Sequence, residues 1–152
     1  VTKLNIDELR EELKKDEGVK YEIYLDHLSL PTTGIGHLIQ ESDPEHGLPV
    51  GTEISEERVN ELFDQDIQVT ISECKKLFDN FDELPEEVQK ICANMMFNMG
   101  RPRLSGFKKF HAAIANNDWQ ECAVQMEDSR WHKQVTNRAN RLISRMRAVE
   151  ST

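Results

Sequence analysis

Long apolar runs are missing from this sequence. Its first fifteen residues, VTKLNIDELREELKK, are charged throughout, so neither a signal peptide nor stable membrane insertion is expected. Cysteine is scarce. Cys74, Cys92 and Cys122 are odd in number, and their spacing suits neither a disulfide framework nor a zinc site. Each sits beside apolar residues in a helical pattern and reads as a buried free thiol, in keeping with synthesis in a reducing cytoplasm. His27, His37, His46, His111 and His132 show no His-Glu-x-x-His spacing, which argues against a zinc peptidase or amidase. No metal and no other cofactor is expected. Gly34 and Gly36 lack the rest of either nucleotide-binding fingerprint. Repeats and low-complexity tracts are absent.

Positive charge is in deficit too. The chain has 19 Lys and Arg against 28 Asp and Glu, a net charge of -9. That balance argues against nucleic acid as a general partner. The deficit is uneven: residues 1–100 hold 9 basic against 23 acidic side chains, residues 101–152 hold 10 against 5. The two parts could attract each other, or the second could face an anionic ligand.

What is present is a sequence of helical periods interrupted by one alternating stretch. At 152 residues the chain is long enough for a real core in one domain, 1–152. Asn5 with Glu8 reads as a capping box, Ile6, Leu9 and Leu13 form an apolar stripe, and Gly18 ends the helix. Glu17 is the next position on that stripe. A carboxyl there is partly desolvated, an environment suited to an acid that must hold a proton; the bland alternative is a surface acid at a fraying end. Residues 19–26 alternate, with Val19, Tyr21, Ile23 and Leu25 on one face and Lys20, Glu22, Tyr24 and Asp26 on the other. HLSLP then turns the chain and TTGIGHLI returns it. Asp26 falls on the wet face at the strand's end, where an ordinary turn residue would also fit. Residues 41–53 read as loop. Ser55 caps a long helix, a strut between two sublobes. Pro85 opens a buried Met-rich helix that Gly100 stops, and shorter helices follow at about 106–116, 118–128 and 137–148. The expected fold is α+β and predominantly helical: a small sheet sublobe at 14–54, a connecting helix at 55–79, and a helical sublobe at 80–152 with helix 5–17 packing on it. Two sublobes imply a cleft between them.

Two carboxylates in opposite environments suit glycoside hydrolysis, one as acid and one to activate water. A more specific signal lies in ordered motifs. Asp16-Glu17-Gly18, Tyr24-Leu25-Asp26, Pro31-Thr32 and Gly34-Ile35-Gly36-His37-Leu38 come in that order, followed by LFDQD at 62–66, NMMFNMG at 94–100 and SRWHKQVTNRANR at 129–141. Together they resemble the phage-type lysozymes, the endolysins of T-even bacteriophages and their relatives, over about residues 9–145.

The resemblance implies an endolysin that hydrolyses the β-1,4 bond between N-acetylmuramic acid and N-acetylglucosamine in bacterial peptidoglycan, with inversion, and so lyses the host cell. It implies Glu17 as general acid, Asp26 as the carboxylate that positions water, and Thr32 as its partner. It implies substrate contacts at Leu38, Asn98, Phe107 and Arg138, the last facing the glutamate, with a solvated basic helix as the alternative for Arg138. It implies a structural pair between His37 and Asp66. Peptidoglycan is the partner and a monomer is expected, held in the host cytoplasm until release and then acting in the periplasm or cell wall. A virion-associated lysozyme module and a catalytically inactive peptidoglycan-binding domain are the alternatives; the presence of Glu17, Asp26 and Thr32 argues against the second. Three departures stand out. Ser29 replaces the turn glycine usual in relatives, the segment from His37 to Ser55 is short enough to lose a small helix, and Asn98 replaces a longer amide.

Overall fold

The computed structural model describes residues 2–150. The chain divides into two compact units, Arg10–Val69 and a second made of Val1–Leu9 with Thr70–Thr152. Both divisions fall inside helices, α1 (Ile6–Glu17) and α2 (Glu56–Leu77).

The cap of α1 is only half local. Glu8 N–H donates to Asn5 Oδ1 at 3.2 Å, as a capping box requires. The returning bond comes from elsewhere: Asn5 N–H donates to Glu86 Oε2 at 2.7 Å, and the Glu8 carboxylate pairs with Lys90. Leu9 and Leu13 are fully buried but Ile6 is 36% exposed, so the apolar stripe begins one turn later than its period suggests. Gly18 ends the helix in the left-handed region, φ 73°, with its N–H on Lys14 O at 2.9 Å. That stop fixes Glu17 as the last helical residue.

In the unit Arg10–Val69, strands β1 (Lys20–Leu25), β2 (Pro31–Gly34) and β3 (His37–Leu38) form an antiparallel sheet in that order. Lys20 pairs with Gly34, then Tyr24 with Thr32 and Leu25 with Pro31, so β1 carries a bulge between Lys20 and Tyr24. Thr33 Oγ1 donates to the Glu22 carbonyl inside that bulge at 2.9 Å. The bulge also spoils the expected alternation. Ile23 is buried, whereas Tyr21 and Leu25 are 48% and 50% exposed, because a bulge breaks the period of two. Residues 51–54 cover the outer edge of β1: Ile23 N–H donates to Thr52 O at 2.9 Å and Gly51 N–H to Ile23 O at 2.8 Å.

Residues 39–54 contain no helix and close through successive turns, Asp43 N–H to Gln40 O, His46 N–H to Asp43 O and Leu48 N–H to Glu45 O. Arg58 secures them with a two-pronged grip on Glu45, at 2.8 and 3.0 Å. Ser55 caps α2 as its position predicts, its Oγ accepting from Arg58 N–H at 3.1 Å. Val59, Leu62, Phe63 and Ile67 form the buried side of α2 within this unit.

The other unit is helical. It holds α3 (Glu86–Met99), α4 (Arg101–Leu104), α5 (Lys108–Ala115), α6 (Trp119–Glu127), α7 (Arg130–Gln134) and α8 (Thr136–Arg147). Pro85 and Gly100 bound α3 as expected. The two short helices α4 and α7 have no apolar period long enough to be read in advance. α3 is buried along nearly its whole length, from Val88 through Met96, and α6 packs on α5 and α8. The three thiols are buried and free. Burial pushes Cys74 and Cys122 up to about 12, and Cys92 well above its ordinary value, so none is a nucleophile near neutral pH. Among the described residues, no helix is long and apolar enough to cross a membrane.

Candidate active site

The three expected catalytic residues, Glu17, Asp26 and Thr32, lie in the unit Arg10–Val69, as do Leu38, His37 and Asp66. Glu17 ends α1, half-buried, and its carboxyl rests on the tight turn between β2 and β3. Gly36 there adopts φ 66°, and a Cβ on it would stand 2.6 Å from Glu17 Oε1 and 3.1 Å from Cδ. Only a residue without a side chain lets the carboxyl lie so close to the backbone.

Asp26 is both the turn residue and the candidate catalytic group. Its Oδ1 accepts Leu28 N–H at 2.8 Å and Leu30 N–H at 2.9 Å, an Asx-type closure of the hairpin loop. Its own N–H donates to Leu30 O at 3.0 Å, and Ser29 N–H donates to Asp26 O at 2.9 Å. Ser29 is held at φ 61°. The loop therefore keeps a left-handed turn without glycine, and the four bonds around Asp26 hold it there. Among the described residues both side-chain bonds go to Oδ1, which leaves Oδ2 for another ligand. Thr32 is buried, and its hydroxyl donates to Leu30 O at 2.9 Å. With its proton committed to the backbone, Thr32 Oγ1 can only accept from whatever lies over it.

Next along the chain, His37 forms its expected bond, Nδ1 to Asp66 Oδ2 at 2.7 Å. A second was not foreseen: Nε2 meets Asp43 Oδ2, also at 2.7 Å. A neutral imidazole has one N–H and can satisfy only one carboxylate, so the arrangement calls for the imidazolium. Burial alone would push His37 down; the hydrogen bonds and charges of Asp66 and Asp43 carry it above its ordinary value. Burial likewise opposes the charge on Asp43, but Gln40 N–H, His37 and Arg58 hold it below its ordinary value. Leu38, on β3, is 42% exposed, available for an apolar contact.

Arg138, Asn98 and Phe107 belong to the helical unit. Arg138 is only 8% exposed and its Nε donates to Asn94 Oδ1 at 2.8 Å, so it is a fixed, buried cation and not part of a solvated basic face. Asn94 went unnoticed in the sequence, although a wholly buried amide inside a Met-rich helix is the kind of signal that marks a polar partner. Asn98 spends its carbonyl oxygen on Trp131 Nε1–H at 2.7 Å; its amide N–H groups are what it has to offer a ligand. Phe107 precedes α5 and, with Lys108, Lys109, Phe110 and Arg130, lines an open pocket of about 400 Å³. Among the described residues, no group of three or more His, Cys, Asp or Glu is arranged to hold a metal.

Residues 14–150 match the family described as Phage lysozyme. The chain is 32% identical over 158 residues to Probable T4-type lysozyme 2 of Dictyostelium discoideum, covering 91% of this chain and 93% of that protein. It is 30% identical over 164 residues to Probable T4-type lysozyme 1 of the same organism, with the same coverage. It is also 25% identical over 152 residues to the Pre-baseplate central spike protein Gp5 of Enterobacteria phage T4, covering 88% of this chain and 26% of that protein.

Proposed function

We propose, from the premise that the chain belongs to the phage lysozyme family and is a lysozyme-type peptidoglycan hydrolase, that it cleaves the β-1,4 bond from N-acetylmuramic acid to N-acetylglucosamine with inversion. The observation that carries this reading is how Asp26 and Thr32 dispose of their hydrogen-bonding capacity. Asp26 Oδ1 is tied to two backbone N–H groups, and the Thr32 proton is tied to Leu30 O. What remains, Asp26 Oδ2 and a Thr32 lone pair, is a pair of acceptors. A water donating both its protons to them keeps a lone pair free for the anomeric carbon. Asp26 takes the proton as the C–O bond forms, and Glu17 gives its proton to the departing glycosidic oxygen. Leu38, Asn98, Phe107 and Arg138 contact or orient the glycan.

In the cell, the reading is of a monomer made in the host cytoplasm that meets peptidoglycan after release and lyses the host. A second reading, a lysozyme module carried on a virion, is favoured by the similarity to the central spike protein.

The test is digestion of purified peptidoglycan by wild type and Glu17→Gln with EDTA present, scoring new reducing ends and the anomer first formed. Reducing ends from wild type alone, appearing as the α-anomer, are expected. No reducing ends from wild type would overturn the reading; a β-anomer would overturn inversion.

A further inference from the structure

The hairpin face that carries Asp26 and Thr32 holds one more polar group that the reaction leaves unused. Tyr24 stands directly opposite Thr32 in the β1–β2 register. It precedes Asp26 by two residues, and Asp26 N–H to Leu30 O extends the pairing past the strand's end. Residues opposite one another, and residues two apart on a strand, present their side chains on one face. Lys20, on the same strand, places Nζ 4.3 Å from the centre of the Tyr24 ring, a cation–π contact that fixes the ring.

The phenol itself is kept protonated. Burial first, then the negative charges of Glu17 and Asp26, hold it above the usual tyrosine range. Both carboxylates thus bear on this one hydroxyl, yet neither accepts a hydrogen bond from it, and no other described residue does. With no acceptor among the described residues, this half-buried donor is free to serve one from outside. The attacking water is a poor candidate, because its protons go to Asp26 and Thr32 and a bond to its lone pair would weaken the nucleophile. The acceptors left are oxygens of the bound saccharide.

We propose that Tyr24 is a substrate-contacting residue, its phenolic O–H donating to an oxygen of the sugar bound over Asp26 and Thr32, with Lys20 as the positioning residue that holds its ring. This rests on the lysozyme reading above. The phenol then contributes one neutral hydrogen bond, and its ring gives the sugar an apolar surface beside the two charged groups.

The experiment compares wild type, Tyr24→Phe, Lys20→Gln and Lys20→Arg in kcat and KM on soluble glycan strands, with melting temperature and pH–rate profile for each. Tyr24→Phe keeps the ring and loses the O–H, so kcat/KM falls about fivefold to tenfold with melting temperature and profile shape unchanged. Lys20→Gln gives a smaller fall, and Lys20→Arg, which keeps a cation over the ring, restores it. In parallel, glycan binding is measured by calorimetry for Glu17→Gln with and without Tyr24→Phe; the double variant binds more weakly by a similar factor. Wild-type kcat/KM in Tyr24→Phe, or a loss matched by a fall in melting temperature, overturns the proposal while leaving the lysozyme reading intact. Absence of reducing ends from wild type overturns both.

Discussion

On the proposed reading of Glu17 as the general acid, Gly36→Ala tests whether backbone contact places it. The added Cβ would sit 2.6 Å from Glu17 Oε1, 3.1 Å from Cδ and 3.3 Å from Cγ. Ordinary contact distances between a methyl carbon and these atoms are about 3.4–4 Å, so the carboxyl must retreat by the order of 1 Å. The atoms that must move belong to the end of a flexible side chain, so the clash itself is cheap to relieve. What it costs is geometry: a displacement of about 1 Å at a reacting group lowers turnover by the order of 100-fold. The backbone adds a separate term, because alanine at φ 66° loses about 1–2 kcal/mol. In a chain of this size that is a drop of about 2–8 °C in melting temperature.

Gly34→Ala separates the two effects. Gly34 has nearly the same backbone, φ 65°, but its Cβ would meet Val59 Cγ1 at 3.1 Å and not the acid. It should lose as much stability as Gly36→Ala or more, and keep most of its turnover. Both variants are assayed for reducing-end release at a temperature where each is folded by circular dichroism. Gly36→Ala with wild-type turnover, or with a loss no greater than that of Gly34→Ala, refutes the idea that Gly36 positions Glu17.

Other consequences follow from single features. Ser29→Gly should stabilise the protein by about 1 kcal/mol in urea denaturation, since it relieves a non-glycine residue at φ 61°; no gain, or a loss, means the serine side chain holds the turn in some other way. His37, with its folded value raised, contributes stability that is fully present below its unfolded pKa of about 6.5 and is lost as pH rises through the folded value. Asp43, with its value lowered, contributes stability that is present above its unfolded pKa and is lost as pH falls through the folded value. The stability gap between wild type and His37→Asn should therefore narrow on going from pH 6 to pH 9, and a constant gap across that range counts against the pairing. With a net charge of -9 facing a largely anionic envelope, lytic rate should rise between low salt and about 0.1 M, where the Debye length is about 10 Å; a monotonic fall removes this idea. Asp26→Asn keeps an Oδ1 for the loop and loses the charge, whereas Asp26→Ala loses both, so the first should be inactive at near wild-type stability and the second both inactive and destabilised by about 1–3 kcal/mol.

The sequence was most informative where a side chain's role follows from its place on one element. Glu17 at the end of an apolar stripe, Ser55 at a cap and Pro85 and Gly100 around α3 all stand where their spacing puts them. It failed where position depends on two distant segments. Asp43 lies in turns with no periodicity, so nothing in its surroundings points to His37. The capping partner of Asn5 comes from Glu86, 81 residues away. Gly36 is legible as a turn glycine, but its contact with Glu17 exists only once helix end and hairpin are assembled. The bulge in β1 cost the alternation its meaning, because the period of two assumes an unbroken ladder.

The hairpin explains why the chain tolerates Ser29 at a turn where glycine would be easier. A left-handed serine carries strain of about 1–2 kcal/mol, and it sits directly between Leu28 and Leu30, whose N–H groups both reach Asp26 Oδ1. Two such solvent-exposed hydrogen bonds are worth about 0.5–1.5 kcal/mol each, together enough to match that strain. The same two bonds fix the rotation of the Asp26 carboxyl and so decide where Oδ2 points. Thr32 is fixed by the carbonyl of Leu30, the residue whose N–H closes the Asp26 turn. One residue thus sets the spacing of both acceptors. On the proposed mechanism, a water bound between them would be placed by a rigid loop and not by side chains free to adjust, the arrangement that lowers the reorganisation needed at the moment of attack.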